Sequence, residues 1–257
     1  MSARRLLALG LTAMALALAA GASVQALPAG RVSGAPPTVQ SMIVGSAGAI
    51  LSPARTVTAD ATTVRVHGRT CAVAAGTPLA VLAAMRRAGG PGFALRDYGH
   101  CGASPKDSAE LFVDSLAGEA NSGQDGWEYK VDSVAGSTGA ADTSGPMGDG
   151  RRLSSGQRVL WFWCNATGGG CQRTLEVAPS TLAVSPGASL TVTVTGYENE
   201  GRGTPIGGAS VALGLHTATT SASGRASLVA PSAPGRYAVS ATRRGLVPSF
   251  PETIVVR

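Results

Sequence analysis

The sequence predicts a mainly β protein, in which an α+β module with one helix precedes a β-sandwich. Glycine and proline account for 35 and 15 of the 257 residues, while only 14% of the residues are charged. This composition argues against a disordered polyelectrolyte, a coiled coil or a helical bundle. Strong helix signals occur in one segment only, and short segments of alternating apolar and polar residues fill much of the rest.

Residues 1–26 are predicted to be a secretory signal peptide. Arg4 and Arg5 precede an uncharged, mostly apolar run over residues 6–20, and the small residues Val24 and Ala26 match a signal-peptidase site. The run is shorter than the roughly 20 residues that a membrane-spanning helix needs. We therefore expect a secreted protein, extracellular or loosely associated with the cell surface, with no transmembrane span in its mature chain.

The four cysteines, Cys71, Cys101, Cys164 and Cys171, are expected to form disulfides, because their number is even and the chain is exported. Four cysteines allow three pairings. The glycine-rich loop between Cys164 and Cys171 favours that pair, which leaves Cys71 with Cys101. A zinc site that uses His100 beside Cys101 is the alternative, but the spacings match no Cys-x-x-Cys motif, and no metal ligand is predicted.

Residues 27–55 are predicted to be a flexible linker, since they contain four prolines, many small residues and no acidic residue. A short strand at residues 41–44 is the only element expected there. Ordered structure is predicted to begin near Thr56. Residues 64–66 and 70–74 then form a hairpin.

The segment after residue 76 carries four helix signals. Thr77 is a candidate N-cap and Pro78 occupies the first helical position. Arg86 and Arg87 suit the negative end of the helix dipole. The Gly-Gly-Pro sequence at residues 89–91 ends the helix.

Eight of the eleven aromatic residues lie between residues 93 and 163. Residues 111–117 are predicted to form a strand. Residues 127–132 alternate apolar and charged side chains, which predicts a half-buried antiparallel strand. Residues 159–163 are apolar on both faces and predict a covered strand. Four aromatic residues are candidates for a ligand-stacking surface or, alternatively, for the core: Trp127, Tyr129, Trp161 and Trp163. Trp163 is expected to be the most exposed of them.

The motif Gly-Trp-Glu-Tyr-Lys-Val at residues 126–131, together with the Leu-x-x-Gly-x-x-Val-x-Trp pattern at residues 153–161, resembles the bacterial transcobalamin C-terminal-like family. The strand-like segment at residues 112–118 fits the same pattern. The chain departs from it at residues 132–133, where the family has Asn-Gly, and at Gln157, where it has Asp. Both differences affect turns.

The resemblance covers residues 56–164 and implies a β-grasp-like fold with a helix packed on a sheet. We assign residues 56–171 to this first module. In vitamin-carrier relatives this module helps to cover a corrinoid, whereas most bacterial members have no established ligand.

Residues 172–257 form the second predicted module. Short alternating segments, such as residues 189–195, recur between glycine and proline turns, which predicts a β-sandwich. The Thr-x-x-x-Gly-x-Ala-x-Leu segment at residues 220–228 and the Pro-Gly-x-Tyr-x-Val segment at residues 234–239 resemble bacterial immunoglobulin-like modules of the carboxypeptidase-regulatory type. That resemblance implies a fold but no particular function.

No catalytic motif accompanies these modules. The three histidines, His67, His100 and His216, lie in no known triad pattern, and no Gly-x-Ser-x-Gly, His-Glu-x-x-His or phosphate-binding loop occurs. The net charge of +6 is not gathered into a basic stripe, which argues against nucleic-acid binding.

We predict an exported non-catalytic binding or surface-interaction protein without a cofactor. Its partner is an unidentified protein, glycan or small molecule. The alternatives are an extracellular carrier of a corrinoid-like ligand that uses the first module, and a hydrolase with an unrecognised site.

Overall fold

The computed structural model describes residues 34–257, so the predicted signal peptide lies outside the described residues. The first module contains ten strands and the helix α1: β1 (Thr38–Val44), β2 (Ile50–Thr58), β3 (Thr62–Val66), β4 (Arg69–Val73), α1 (Pro78–Arg87), β5 (Phe93–Asp97), β6 (Leu111–Leu116), β7 (Glu119–Ala120), β8 (Gly126–Val131), β9 (Val134–Ala135) and β10 (Arg158–Cys164). The second module contains nine: β11 (Thr174–Pro179), β12 (Ala183–Val184), β13 (Ser189–Tyr197), β14 (Gly203–Pro205), β15 (Ser210–Leu213), β16 (His216–Thr219), β17 (Arg225–Val229), β18 (Gly235–Thr242) and β19 (Glu252–Val256).

A five-stranded mixed sheet, in the order β2-β1-β10-β8-β9, is the frame of the first module. β1 runs parallel to β10, and the other pairs are antiparallel. Helix α1 packs against β1 and β2, and residues 78–85 of the helix are all buried. Two small sheets, β3-β4 and β5-β6-β7, complete the module. The predicted arrangement of one helix on a sheet is therefore present.

The linker predicted for residues 27–55 is wrong where β1 and most of β2 lie. Both strands belong to the sheet of the first module, which therefore extends N-terminally beyond the predicted start at residue 56. β1 is a central strand, because it lies between β2 and β10, and its residues 39 and 42–44 are all less than 2% exposed. Pro53 contributed to the linker prediction, since proline disfavours central strands. The proline is tolerated because β2 is the edge of the sheet and its register with β1 shifts between Ser41 and Ile43, next to this residue.

Local signals predicted the hairpin and the helix correctly. β3 and β4 pair through a two-residue turn in which His67 and Gly68 both have positive φ, as a hairpin turn of this length requires. The Thr77 hydroxyl accepts a hydrogen bond from the Ala80 amide at 3.3 Å and so caps α1. The helix ends at Arg87, and Ala88 separates it from Gly89 and Gly90.

The second module is a β-sandwich of two sheets packed around one core. One sheet has the order β11-β13-β14, with β17 also paired to β13, and the other has the order β12-β19-β18-β15-β16. Alternate residues of β13 are buried, so Leu190, Val192 and Val194 face the core between the sheets. The prediction of a mainly β fold is confirmed.

The two modules share a packed contact, which explains why β10 is apolar on both faces. Trp161 faces the core beneath α1, whereas its neighbours Leu160 and Phe162 belong to a separate cluster on the opposite face. That cluster also contains Val247 and Phe250 from the second module. The sheet of the first module is thus covered by the helix on one side and by the second module on the other.

Lys130 on β8 is buried in this contact, although its strand was predicted to be half-buried with its charged residues facing solvent. Its side chain is 0% exposed. The Nζ atom donates hydrogen bonds to Thr174 Oγ1 at 3.3 Å, to the Tyr197 carbonyl at 3.0 Å and to the Glu198 carbonyl at 2.9 Å. It also lies 5.9 Å from the centre of the Phe162 ring. Burial lowers the pKa of Lys130 to about 8.

The structure joins Cys71 to Cys101 and Cys164 to Cys171. The first disulfide connects β4 to the loop after β5, and the second closes the loop after β10. Within residues 34–257, no helix is both long and apolar enough to span a membrane.

Candidate binding cleft

The four aromatic residues predicted as a possible ligand-binding surface are buried. Trp127, Tyr129, Trp161 and Trp163 are 3%, 5%, 1% and 8% exposed. The Trp127 and Trp163 rings meet edge to face at 5.8 Å, and the Tyr129 and Trp161 rings lie 5.4 Å apart. Trp163 is the most exposed of the four, as expected, but it is still buried, because on β10 this side chain points with Trp161 into the core beneath α1. Trp163 and Trp127 still contribute to the lining of two surface clefts.

Hydrogen bonds fix two of these rings from within the module. Trp127 Nε1 donates to the Glu119 carbonyl at 2.9 Å, and the Tyr129 hydroxyl donates to the Thr138 carbonyl at 2.9 Å. Desolvation by burial raises the pKa of Tyr129. Polar tips satisfied in this way are typical of core aromatics.

The exposed aromatic residues of the first module are Tyr98 and Phe112, which are 64% and 44% exposed. Their rings form an edge-to-face pair with centres 6.1 Å apart. Strand alternation decides this, because Leu111 and Val113 point into the core and Phe112 therefore points out. The sequence did not predict the exposure of Phe112, because in the run Leu-Phe-Val three consecutive apolar residues do not show which of them faces solvent.

Tyr98 and Phe112 lie in a cleft of about 550 Å³. The β5-β6 hairpin forms one wall, the loop between β7 and β8 forms another, and the disulfide-closed loop after β10 forms the third. Its lining residues are Arg96, Tyr98, Phe112, Asp114, Asn121, Ser122, Gly123, Gln124, Asp125, Gly126, Trp127, Glu128, Cys164, Ala166, Gly170, Cys171 and Asn199. Of the four residues first proposed for ligand binding, Trp127 alone lines this cleft.

Side-chain hydrogen bonds hold the walls together. Asn121 accepts from the Trp127 amide at 2.9 Å through Oδ1 and donates to the Val113 carbonyl at 2.8 Å through Nδ2, so it ties the β7-β8 loop to both neighbouring strands. Asp125 Oδ1 accepts from the Thr167 amide at 2.8 Å. This bond links the β7-β8 loop to the disulfide-closed loop, so the cleft is largely preformed.

The cleft is polar, and its lining contains more carboxylates than cationic groups. Arg96 forms an ion pair with Asp114 at 2.9 Å on the outer face of the β5-β6 hairpin. Asp125 and Glu128 add two further carboxylates. Desolvation by the surrounding protein raises the pKa of Glu128. Asn199 Oδ1 is buried and has no hydrogen-bond partner within residues 34–257.

A second cleft, of about 310 Å³, is lined by residues 45–48, Trp163, Asn165, Gln172 and residues 242–248. It contains the exposed Arg243 and Arg244 but no exposed aromatic residue. Glu119, which accepts from the Ser46 amide at 2.8 Å, lies beside it. The cleft around Tyr98 and Phe112 combines exposed aromatic rings, hydrogen-bonding groups and an excess of carboxylates, so it is the stronger candidate for a binding site.

No family model matches the chain, and no curated protein matches it. Among solved structures, the D00-D0 domain of Intimin aligns at 15% identity with a TM-score of 0.26, over 57% of this chain and 89% of that one. The D0-D1 domain of Intimin aligns at 16% identity with a TM-score of 0.27, over 85% of this chain and 98% of that one. TM-scores of this size are too low to carry an argument, and the transcobalamin-like resemblance stays a prediction.

Proposed function

We propose that the chain is an exported, non-catalytic binding protein that captures its partner in the cleft around Tyr98 and Phe112. The observation that carries the proposal is this exposed aromatic pair inside a preformed polar cleft. Aromatic side chains bury much apolar area on binding and dominate the energetics of interfaces. Leaving two of them exposed next to each other is typical of a recognition surface.

The lining chemistry supports recognition. Carboxylates, side-chain amides and one guanidinium surround the rings, and such groups orient a ligand by hydrogen bonds. The two disulfides support an extracellular or surface location, because disulfides persist in oxidising compartments. In this proposal the second module supports the sheet of the first and acts as a spacer.

The test is a binding panel read by calorimetry and by tryptophan fluorescence, in which Trp127 at the cleft is a local reporter. The probes are neutral oligosaccharides, short peptides, simple amines and a corrinoid. We expect at least one class to bind saturably, and the double variant Tyr98→Ala/Phe112→Ala to weaken that binding at least tenfold, as the loss of two aromatic contacts predicts.

The matched control is Leu215→Ala/Val229→Ala, which removes two other exposed apolar side chains, 99% and 46% exposed, from the second module. It should leave binding unchanged. Equal affinity in the aromatic variant and the wild type for every probe that binds would overturn the assignment of the cleft. A corrinoid that binds independently of Tyr98 and Phe112 would instead favour the carrier hypothesis.

A further inference from the structure

We propose that the cleft around Tyr98 and Phe112 selects an organic cation, namely the ammonium or guanidinium group of a partner's basic side chain or of a free amine. The inference rests on the proposed function and adds the chemical class of the ligand. It depends on three features of the lining: the charge of its carboxylates, their hydrogen-bonding character, and its two exposed rings.

The charge of the lining is the first feature. One cation, Arg96, stands against three carboxylates, and Arg96 is already paired with Asp114. Asp125 and Glu128 remain without a cation in the ion pairs formed within residues 34–257. The chain as a whole carries a net charge of +6, so the cleft is a local negative site on a basic protein. A positively charged ligand is the complementary one.

Hydrogen bonding is the second feature. Asp125 and Glu128 offer carboxylate oxygens, which only accept. Ammonium and guanidinium groups are donors without any acceptor, so they match this lining.

The exposed rings are the third feature. Cations attract the faces of aromatic rings, and the described residues contain three such pairs, Arg86 with Phe93, Lys130 with Phe162 and Arg158 with Phe250. None of these pairs uses Tyr98 or Phe112. Arg96 shares the cleft with both rings but is held by Asp114 instead. The two rings are therefore available to a cation from outside that enters the cleft which they share with the two carboxylates.

The test uses the full mature protein and a tetralysine peptide with both termini blocked, with the same peptide acetylated on every lysine side chain as the neutral counterpart. Acetylation removes the charge and keeps the length. Calorimetry should show saturable binding of tetralysine, weakened by added salt, and at least tenfold weaker binding of the acetylated peptide. Ethylamine and a single lysine with both termini blocked, titrated in parallel, distinguish a free amine from a peptide as the source of the cation.

Two conservative variants test the groups involved. Glu128→Gln keeps the shape and removes the charge, and Phe112→Leu keeps apolar bulk and removes the ring face. Each should weaken tetralysine binding about threefold to tenfold. The matched control Asp60→Asn removes an exposed carboxylate outside the cleft and should change nothing. Thermal melts verify that the variants are folded.

Equal binding of the acetylated and unacetylated peptides, or no binding of any cation, would overturn the inference. Phe112-dependent binding of a neutral oligosaccharide without binding of cations would also overturn it, while the proposed function would stand. The proposed function itself fails only if Tyr98→Ala/Phe112→Ala leaves the binding of every probe unchanged, so the two failures are distinguishable.

Discussion

Lys130 makes a sharp prediction, because a fully buried lysine should change stability with pH in a defined window. Its pKa in the folded protein is about 8, lowered from 10.5 chiefly by desolvation. Glu200, Glu176 and Glu198 act in the opposite direction and raise it. The perturbation is Lys130→Met, which keeps an unbranched side chain and removes the titrating group.

The sign follows from proton binding. Below about pH 8 Lys130 is protonated in both the folded and the unfolded chain and contributes no pH dependence. Between about 8 and 10.5 the unfolded chain binds more protons than the folded one, so the free energy of unfolding rises with pH. Above 10.5 both states are neutral and the contribution is constant.

The magnitude follows from the same shift. One pKa unit corresponds to about 1.4 kcal/mol, so the wild type should gain on the order of 3 kcal/mol relative to Lys130→Met across this window. At neutral pH the variant should be less stable by about 1–3 kcal/mol. The substitution removes the desolvation penalty of the buried charge, which stabilises the variant. It also removes the charged donor of two carbonyls and the Thr174 hydroxyl, which destabilises the variant.

Denaturant unfolding of both proteins at a series of pH values, followed by circular dichroism, measures the difference directly. Subtracting the two curves cancels the titration of groups such as Tyr197, whose pKa is raised by burial. Lys106→Met is the matched control, since Lys106 is exposed and is the only other lysine in the chain. Parallel curves for wild type and Lys130→Met would refute the reasoning.

Three further predictions concern stability. Thr77→Ala removes the N-cap of α1 and should lower the free energy of unfolding by about 1 kcal/mol, measured by urea denaturation. Gly136→Ala places a methyl group against the ring of the buried Tyr129 and should destabilise by about 1–3 kcal/mol, visible as a lower melting temperature in calorimetry. Replacing Cys71 and Cys101 by alanine opens a loop of 30 residues and should cost about 3–4 kcal/mol, against about 2 kcal/mol for the Cys164–Cys171 pair, which spans 7.

A specific result would contradict each of these three stability predictions. An unchanged unfolding midpoint in Thr77→Ala would show that the cap bond is dispensable. Gly92→Ala, at a glycine with open space around its Cα and no positive φ, is the control for Gly136→Ala and should be neutral. Equal losses on removing the two disulfides would contradict the loop-length argument.

Local signals predicted the elements of the first module that depend on neighbouring residues. The cap at Thr77, the stop after Arg87 and the tight turn at Gly68 are set by backbone sterics and by hydrogen bonds within a few residues. The same holds for the alternation in β13, which placed its apolar residues in the sandwich core. These features need no knowledge of distant parts of the chain.

The candidate site could not be derived in the same way. Phe112 is exposed because Leu111 and Val113 are buried, and Asn199 reaches the cleft from the second module. Trp163 is buried because its face of β10 lies beneath the helix side of the core. Which face of an apolar strand meets solvent depends on what packs there, and a linear pattern of apolar residues does not contain that information.

The sequence by itself determined a mainly β chain, the helix α1 and the sandwich strands, because hydrophobic period and turn residues act over short distances. Only the tertiary structure decided that residues 38–44 form a central strand, since pairing with β10 more than a hundred residues away supplies their hydrogen bonds. The tertiary structure also decided that Lys130 is buried and Tyr98 is exposed. The contact between the modules covers the surface that carries Lys130 and leaves the cleft around Tyr98 open.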